Sequence, residues 1–264
     1  MSRPSLIIVP GASGLPEFYD SFITAVTERG YDIKALHLPS VGLMTGAREG
    51  PPPTMYEDAE LIAKHVRELA DRGNDVILVT HSYGGTPATE SVKGLTKKER
   101  QKQGLEGGII GIAYMTSLVP NVGGSAGTCQ RDFPDREDVP MAVGDDGWFY
   151  YTDIPKLARV SFTNLPKDEG EFWAAKLVKH SSISFGDPLT YAGFKDVPVS
   201  YLLCEDDRAI SPQAQRAGIE MIEKESGNKV DVTSIKGDHV APLSSQNEVV
   251  DWIVGVAERM SSLA

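Results

Sequence analysis

Cysteine is almost missing from this chain of 264 residues, which carries only Cys129 and Cys204. Two cysteines make no disulfide framework, and these two do not stand at the spacing of paired metal ligands. Cys204 falls inside an apolar run and reads as a small buried hydrophobe. The five histidines are scattered, so no metal site is expected. Positive charge is also short: 26 Lys and Arg face 37 Asp and Glu, for a net charge of −11. That balance argues against a nucleic-acid partner or an anionic membrane surface. No apolar run reaches the ~20 residues that cross a bilayer. The start, Met1-Ser2-Arg3-Pro4, has no basic stretch followed by an apolar one and leads straight into a short strand. A cytoplasmic protein is expected on that ground. The glycine-rich Gly11-Ala12-Ser13-Gly14 lacks the third glycine and the lysine of phosphate loops, so no nucleotide cofactor is expected either.

What is present is the material of one large α/β domain, 41% hydrophobic and 24% charged. Ser5 to Val9 is wholly apolar after its first residue, as suits a parallel strand covered on both faces. A helical pattern over Phe18 to Arg29, with Phe18, Phe22 and Val26 on one face, stops at Gly30. Tyr31 to Leu38 reads as a strand. Thr54 and Glu57 form a capping box that opens a helix running to about Arg72. Val76 to Thr80 is a strand, followed by a helix to about Val92. The charged stretch from Lys93 to Gly107 reads as a solvated surface, and Gly108 to Leu118 as another strand. Strands alternating with helices predict a mostly parallel twisted sheet with helices on both faces. The alternation breaks from Pro120 to about Asp187, a stretch rich in Gly, Pro and aromatics. It reads as a mainly helical cap inserted after the 108–118 strand, giving a core of 1–119 and 188–264 and a cap of 120–187. The pattern resumes with a strand at Val197 to Cys204, a helix at Pro212 to Lys224, a strand at Lys229 to Ile235 and a helix at Leu243 to Met260.

The chemistry gathers at strand ends. Val76 to Thr80 stops abruptly at His81-Ser82-Tyr83-Gly84-Gly85. A serine on a sharp strand-to-helix turn, flanked by small residues, is how a nucleophile is mounted on an open sheet. Thr80 stands where glycine is usual, which predicts a small residue packed against it. A serine hydroxyl needs a base, and the base needs an orienting acid. His239, in the loop after the 229–235 strand, is the best placed base. His37 lies in a strand, His65 in mid-helix, His180 in the cap, and the ring of His81 should point away from the serine. The acid comes from Glu205-Asp206-Asp207, with Asp207 favoured and Asp206 second; Asp238 more plausibly shapes its loop. Oxyanion donors are expected from the backbone of Tyr83, just after the serine, and of Ala12, with Ser13 or Gly11 as lesser options. Ser13, Trp148, Tyr150, Phe162 and Trp173 are candidates for the substrate pocket.

The elbow at Thr80–Gly85, the loop Glu205–Pro212 and Gly237-Asp238-His239 resemble the α/β-hydrolase superfamily over nearly the whole chain. Val9-Pro10-Gly11-Ala12-Ser13-Gly14 and Cys204-Glu205-Asp206-Asp207-Arg208-Ala209-Ile210 are similar to the plant methylesterase and hydroxynitrile lyase group and its fungal relatives. The resemblance implies an α/β-hydrolase fold and a triad of Ser82, Asp207 and His239, with Ala12 and Tyr83 as oxyanion hole. The lyases of that group use a threonine in the first loop and a lysine after the catalytic histidine. Gly11 and Val240 stand there instead, which disfavours cyanohydrin cleavage.

The leading expectation is a serine esterase that cleaves a carboxylic ester or lactone of a small to medium apolar substrate through an acyl-serine. A competing reading keeps the triad but cleaves a C–C bond in a polyketide-like ketone. A third, of another class, is a ligand receptor on a hydrolase fold. The expected partner is a small ester, lactone or ketone, with no nucleic acid or membrane; a homodimer is compatible with the sequence.

Overall fold

A computed structural model describes residues 3–129, 133 and 137–264, so Met1 and Ser2 of the N-terminal stretch lie outside the described residues. Its centre is a six-stranded parallel sheet in the order β2-β1-β3-β4-β8-β9. The strands are β1 (Ser5–Val9), β2 (Ile33–Ala35), β3 (Asp75–His81), β4 (Gly108–Met115), β8 (Val199–Cys204) and β9 (Asp231–Ile235). β1, β4 and β8 are buried along their whole length, as is β3 beyond its first residue, which is why they read as apolar runs without alternation. β9 closes one edge and is largely exposed. Cys204 is fully buried at the end of β8, as its apolar setting predicted.

Helices α1 (Asp20–Glu28), α2 (Met55–Ala70), α3 (Gly85–Glu90), α4 (Lys97–Gln101), α7 (Pro212–Ser226), α8 (Ala241–Ser244) and α9 (Gln246–Leu263) follow the strands. α1 packs on α9 and α2 on α3, and both α2 and α9 reach the central β4. The expected capping box forms: the Glu57 amide donates to Thr54 Oγ1, and the Thr54 amide to the Glu57 carboxylate. Gly30 takes a φ of 86° where the first helix stops. Some expected elements are shorter or divided. The 31–38 strand pairs only over β2. The C-terminal helix is split into α8 and α9, because the Ser245 backbone at φ −136° is not helical. Arg100, in the stretch read as solvated, is buried and donates to the carbonyls of Glu106 and Gly107.

The segment between β4 and β8 carries more helix than strand, as expected, and adds a small sheet. It has α5 (Ile154–Ser161) and α6 (Lys167–Ala174), but also a three-stranded antiparallel sheet of β5 (Met141–Val143), β6 (Trp148–Tyr151) and β7 (His180–Ser181). β5 and β6 form a hairpin around Gly144-Asp145-Asp146-Gly147, where Gly147 has a φ of 76° and donates to Gly144 O. An Asp-Gly pair between apolar runs is a hairpin signal, here hidden within the Gly-rich composition. Among the described residues no helix is long and apolar enough to cross a membrane.

Glycine geometry gives a stability test. A Cβ on Gly84 would lie 2.3 Å from Val9 O and 2.6 Å from Pro10 O, both backbone atoms. Gly218, inside α7, has nothing within 4 Å. Gly84→Ala should therefore give a protein that melts far below the parent or does not fold. Gly218→Ala should raise stability by about 0.5–1 kcal/mol, since alanine costs less helix entropy. Thermal and urea melts of the two variants check this; a Gly84→Ala protein as stable as the parent would contradict it.

Candidate active site

The C-terminal ends of β1, β3, β8 and β9 converge, as ligand-bearing loops do on open α/β sheets. At the end of β3, Ser82 adopts φ 53°, a left-handed conformation that costs a non-glycine residue about 1–3 kcal/mol. The neighbours make the turn feasible. Gly84 lies against the carbonyls of Val9 and Pro10, and Gly85 against Ser117 and Leu118, too close in each case for a side chain. Thr80 Oγ1 shares a hydrogen bond of 2.7 Å with Ser117 Oγ, so a small residue does meet it. Its partner in register on β4 is nevertheless Tyr114, whose hydroxyl is bonded to Thr89.

Two loops bring the other groups in. His239 Nε2 lies 3.0 Å from Ser82 Oγ, and His239 Nδ1 lies 2.9 Å from Asp207 Oδ2. Asp207 is buried, and its Oδ1 accepts the amides of Ala209 and Ile210 at 2.8 Å each. Gln215 Nε2 adds a third donor, to Oδ2, at 3.2 Å. These bonds fix the carboxylate where it meets Nδ1. Its neighbours face elsewhere: Glu205 pairs with Arg216 and Ser234, and Asp206 is approached by Asn164 Nδ2. Of the three adjacent acids, the geometry thus selects Asp207. Asp238 shapes its loop as expected, accepting the amides of Asn164 and Val240 and the hydroxyl of Ser244. Burial pulls the His239 pKa down, but the charge and hydrogen bond of Asp207 outweigh it, so the net shift is upward from the ordinary 6.5.

The loop after β1 lies beside the serine. Three of its four amides are committed: Gly11 N–H to Tyr19 Oη at 3.2 Å, Ser13 N–H to His180 Nδ1 at 3.2 Å, and Gly14 N–H to Gly11 O at 3.2 Å. The Ala12 N–H has no partner among the described residues. Because His180 accepts at Nδ1, its proton sits on Nε2, which donates to Ser184 Oγ. Burial holds His180 neutral, with a pKa near 3.

His81 was expected to point away from Ser82, and both its nitrogens are indeed engaged elsewhere. Nε2 donates to the backbone oxygen of His239 at 2.8 Å, and Nδ1 accepts from Tyr19 Oη at 2.7 Å. A strut therefore runs from the first loop through Tyr19 and His81 to the His239 loop. Burial lowers the His81 pKa to about 3, so it stays neutral. Tyr83 is tied down through its hydroxyl, which donates to the buried Asp58 at 2.7 Å. Reading the sequence missed this scaffold: Tyr19 and Asp58 sit in helical stretches with no motif around them.

Above Ser82 is a cavity, open to solvent, with about 760 Å³ of empty space. Among the described residues no Asp, Glu, Lys or Arg lines it. Of the expected pocket residues only Phe162 does. Trp148 is buried on the other face of β6, Tyr150 is 42% exposed, Trp173 packs on Phe18, and Ser13 is fully buried outside the lining. The expectation picked the wrong parity of β6: Phe149 and Tyr151 face the cavity, joined by Phe18, Leu118 and Phe185. Once 148–151 is known to be a strand, the alternation is sufficient to find them.

Comparison with known proteins agrees with this architecture. Over 257 residues the chain is 29% identical to the probable hydrolase R7 of a Phoma species, covering 97% of this chain and 99% of the relative. It is likewise 29% identical to the alpha/beta hydrolase nvfD of Aspergillus novofumigatus, covering 97% and 98%. Among solved structures, a pyrethroid hydrolase from Sphingobium faniae superimposes with a TM-score of 0.74 at 20% identity, covering 97% of this chain and 98% of that one. Polyneuridine aldehyde esterase does so with a TM-score of 0.71 at 16% identity, covering 97% and 100%. Residues 6–252 match the model of the alpha/beta hydrolase family, and with strand order, elbow and strand-end loops in agreement, the chain belongs to that family.

Proposed function

We propose that this protein is a serine hydrolase that cleaves a neutral carboxylic ester or lactone. The observation that carries the reading is the unbroken hydrogen-bond chain from Ser82 Oγ through His239 to Asp207, at 3.0 and 2.9 Å, at the floor of an apolar cavity. Ser82 attacks the carbonyl carbon while His239 Nε2 takes its proton. Asp207 holds the ring with Nδ1–H toward the carboxylate and stabilises the imidazolium. The tetrahedral oxyanion is met by the N–H groups of Ala12 and Tyr83. His239 then protonates the leaving alcohol, and a water activated by the same base releases the acid. The segment between β4 and β8 serves as the cap, supplying Phe149, Tyr151 and Phe162 to the cavity wall. The relatives named for pyrethroid and polyneuridine aldehyde ester chemistry support ester cleavage.

Three measurements test this reading. Ser82→Ala should lower kcat toward nitrophenyl acetate and butyrate by on the order of 10⁴–10⁶-fold and abolish labelling by a fluorophosphonate. Hydrolysis that persists undiminished would sink the proposal.

The pH profile follows from the His239 pKa. The base must be neutral to accept a proton, so kcat/KM should fall on acidification through a pKa above 6.5. Asp207→Asn removes the larger raising causes and leaves burial opposed only by the charge of Asp238, so the acid limb should move to lower pH as kcat drops about 10⁴-fold. An unmoved limb would detach Asp207 from the base.

Tyr19→Phe deletes the hydroxyl that links Gly11 N–H to His81. It should lower kcat roughly 10- to 100-fold, less than deleting an oxyanion donor outright. KM should change little, and binding of a boronic acid should weaken in step with kcat/KM. Equal losses for boronic acid and a ground-state ether analogue would mean that the strut does not act on the oxyanion site.

A further inference from the structure

The cavity wall is apolar apart from the groups at its floor and two hydroxyls on the segment above them. Tyr151 ends β6, and Ser161 ends α5. Ser161 Oγ meets no hydrogen-bond partner among the described residues, and Tyr151 Oη has only the Ser13 hydroxyl. For Ser161 the freedom is informative, because a helical serine ordinarily bonds back one turn. Ser226 Oγ donates to Ile222 O at 2.7 Å and Ser261 Oγ to Ala257 O at 2.6 Å. Ser161 makes no such bond, although the residue is only 6% exposed.

Tyr151 is constrained too. Its ring stands edge-on to Phe149 at 6.0 Å, in a strand paired with Met141 in β5. Burial raises its pKa, and a hydrogen bond from the Ser13 hydroxyl opposes the rise. Ser13 Oγ is fully buried and has no other hydrogen-bond partner. With Ser13 donating to its oxygen, Tyr151 keeps its own O–H to donate into the cavity. Two donors in an apolar wall, with no charged side chain among the described residues that line it, match a neutral oxygen acceptor. A carboxylate would find no cation among those residues, and a plain hydrocarbon would desolvate both hydroxyls for nothing in return.

We propose that the substrate is an ester or lactone bearing a second neutral oxygen acceptor, a ketone or ether, that takes hydrogen bonds from Tyr151 and Ser161. This rests on the serine hydrolase reading above and narrows it from any small apolar ester.

The test uses a matched series: nitrophenyl hexanoate, and its analogues in which one chain methylene at successive positions is replaced by an ether oxygen or a carbonyl. At least one oxygenated ester should exceed hexanoate in kcat/KM by about tenfold or more. Tyr151→Phe and Ser161→Ala should each shrink that ratio, and the double variant should bring it to about one. Should Tyr151→Phe fold poorly by circular dichroism, Ser161→Ala carries the test alone. The proposal is overturned if no analogue is preferred, or if the preference survives the double variant, while Ser82 still reacts with a fluorophosphonate. Failure of that labelling, with no ester turned over, would instead overturn the hydrolase reading and this proposal with it.

Discussion

Everything at the site depends on the close approach of two backbones, the exit of β1 and the turn after β3. The carbonyls of Val9 and Pro10 occupy the space where a side chain on Gly84 would stand. Across the same contact, a Cβ on Gly11 would lie 3.1 Å from Ser82 Cβ and 3.0 Å from His81 Nδ1. Two side chains are thus omitted so that a serine and a free amide can stand side by side. The left-handed backbone of Ser82 is the cost of turning the chain within that space. The cost is met by burial of β3 on both faces and by the Leu118 amide, which donates to Ser82 O at 2.9 Å.

Around this contact, one side-chain type is set to two states. His81, His180 and His239 are all buried imidazoles. Burial keeps the first two neutral, helped at His81 by the neighbouring His239, and each uses its fixed tautomer as a spacer. Only His239 has a carboxylate on its ring, and that partner reverses the direction of the shift. His81 and His239 have ring centroids 5.0 Å apart, so a charge on one disfavours a charge on the other. A neutral His81 lets the proton reside on His239. The bond from His81 Nε2 to the His239 carbonyl holds the His239 backbone without competing for its ring.

The parts legible in the sequence are those where covalent constraint meets one dominant force. Wholly apolar runs located β1, β3, β4 and β8, because burial on both faces leaves no alternation to misread. The residues after β3 and β9 pointed to Ser82 and His239, because the C-terminal strand ends are where an open α/β sheet presents its ligand-binding groups. The choice among Glu205, Asp206 and Asp207 was decided by local hydrogen bonds, to Ala209, Ile210 and Gln215, which spacing does not encode. The segment between β4 and β8 was harder to read. Its strands are three, four and two residues long, and a single residue of register decides which aromatics face the cavity. Tyr19 and Asp58 were invisible for a different reason: their roles come from contacts with residues distant in the chain.

The charge of the cavity and of the whole chain bear on different steps. The net charge of −11 is excluded from the cavity, whose lining among the described residues has no acidic or basic side chain. On the proposed reading, hydrolysis of a neutral ester there would create a carboxylate with no cation among the described lining residues to hold it. Leaving an ion unpaired in such a setting is expensive, whereas a neutral ester and alcohol carry no such penalty. An apolar wall would thus favour entry of an ester and disfavour retention of the acid. The absence of lysine and arginine from the described lining also bears on His239, because a cation beside it would lower its pKa.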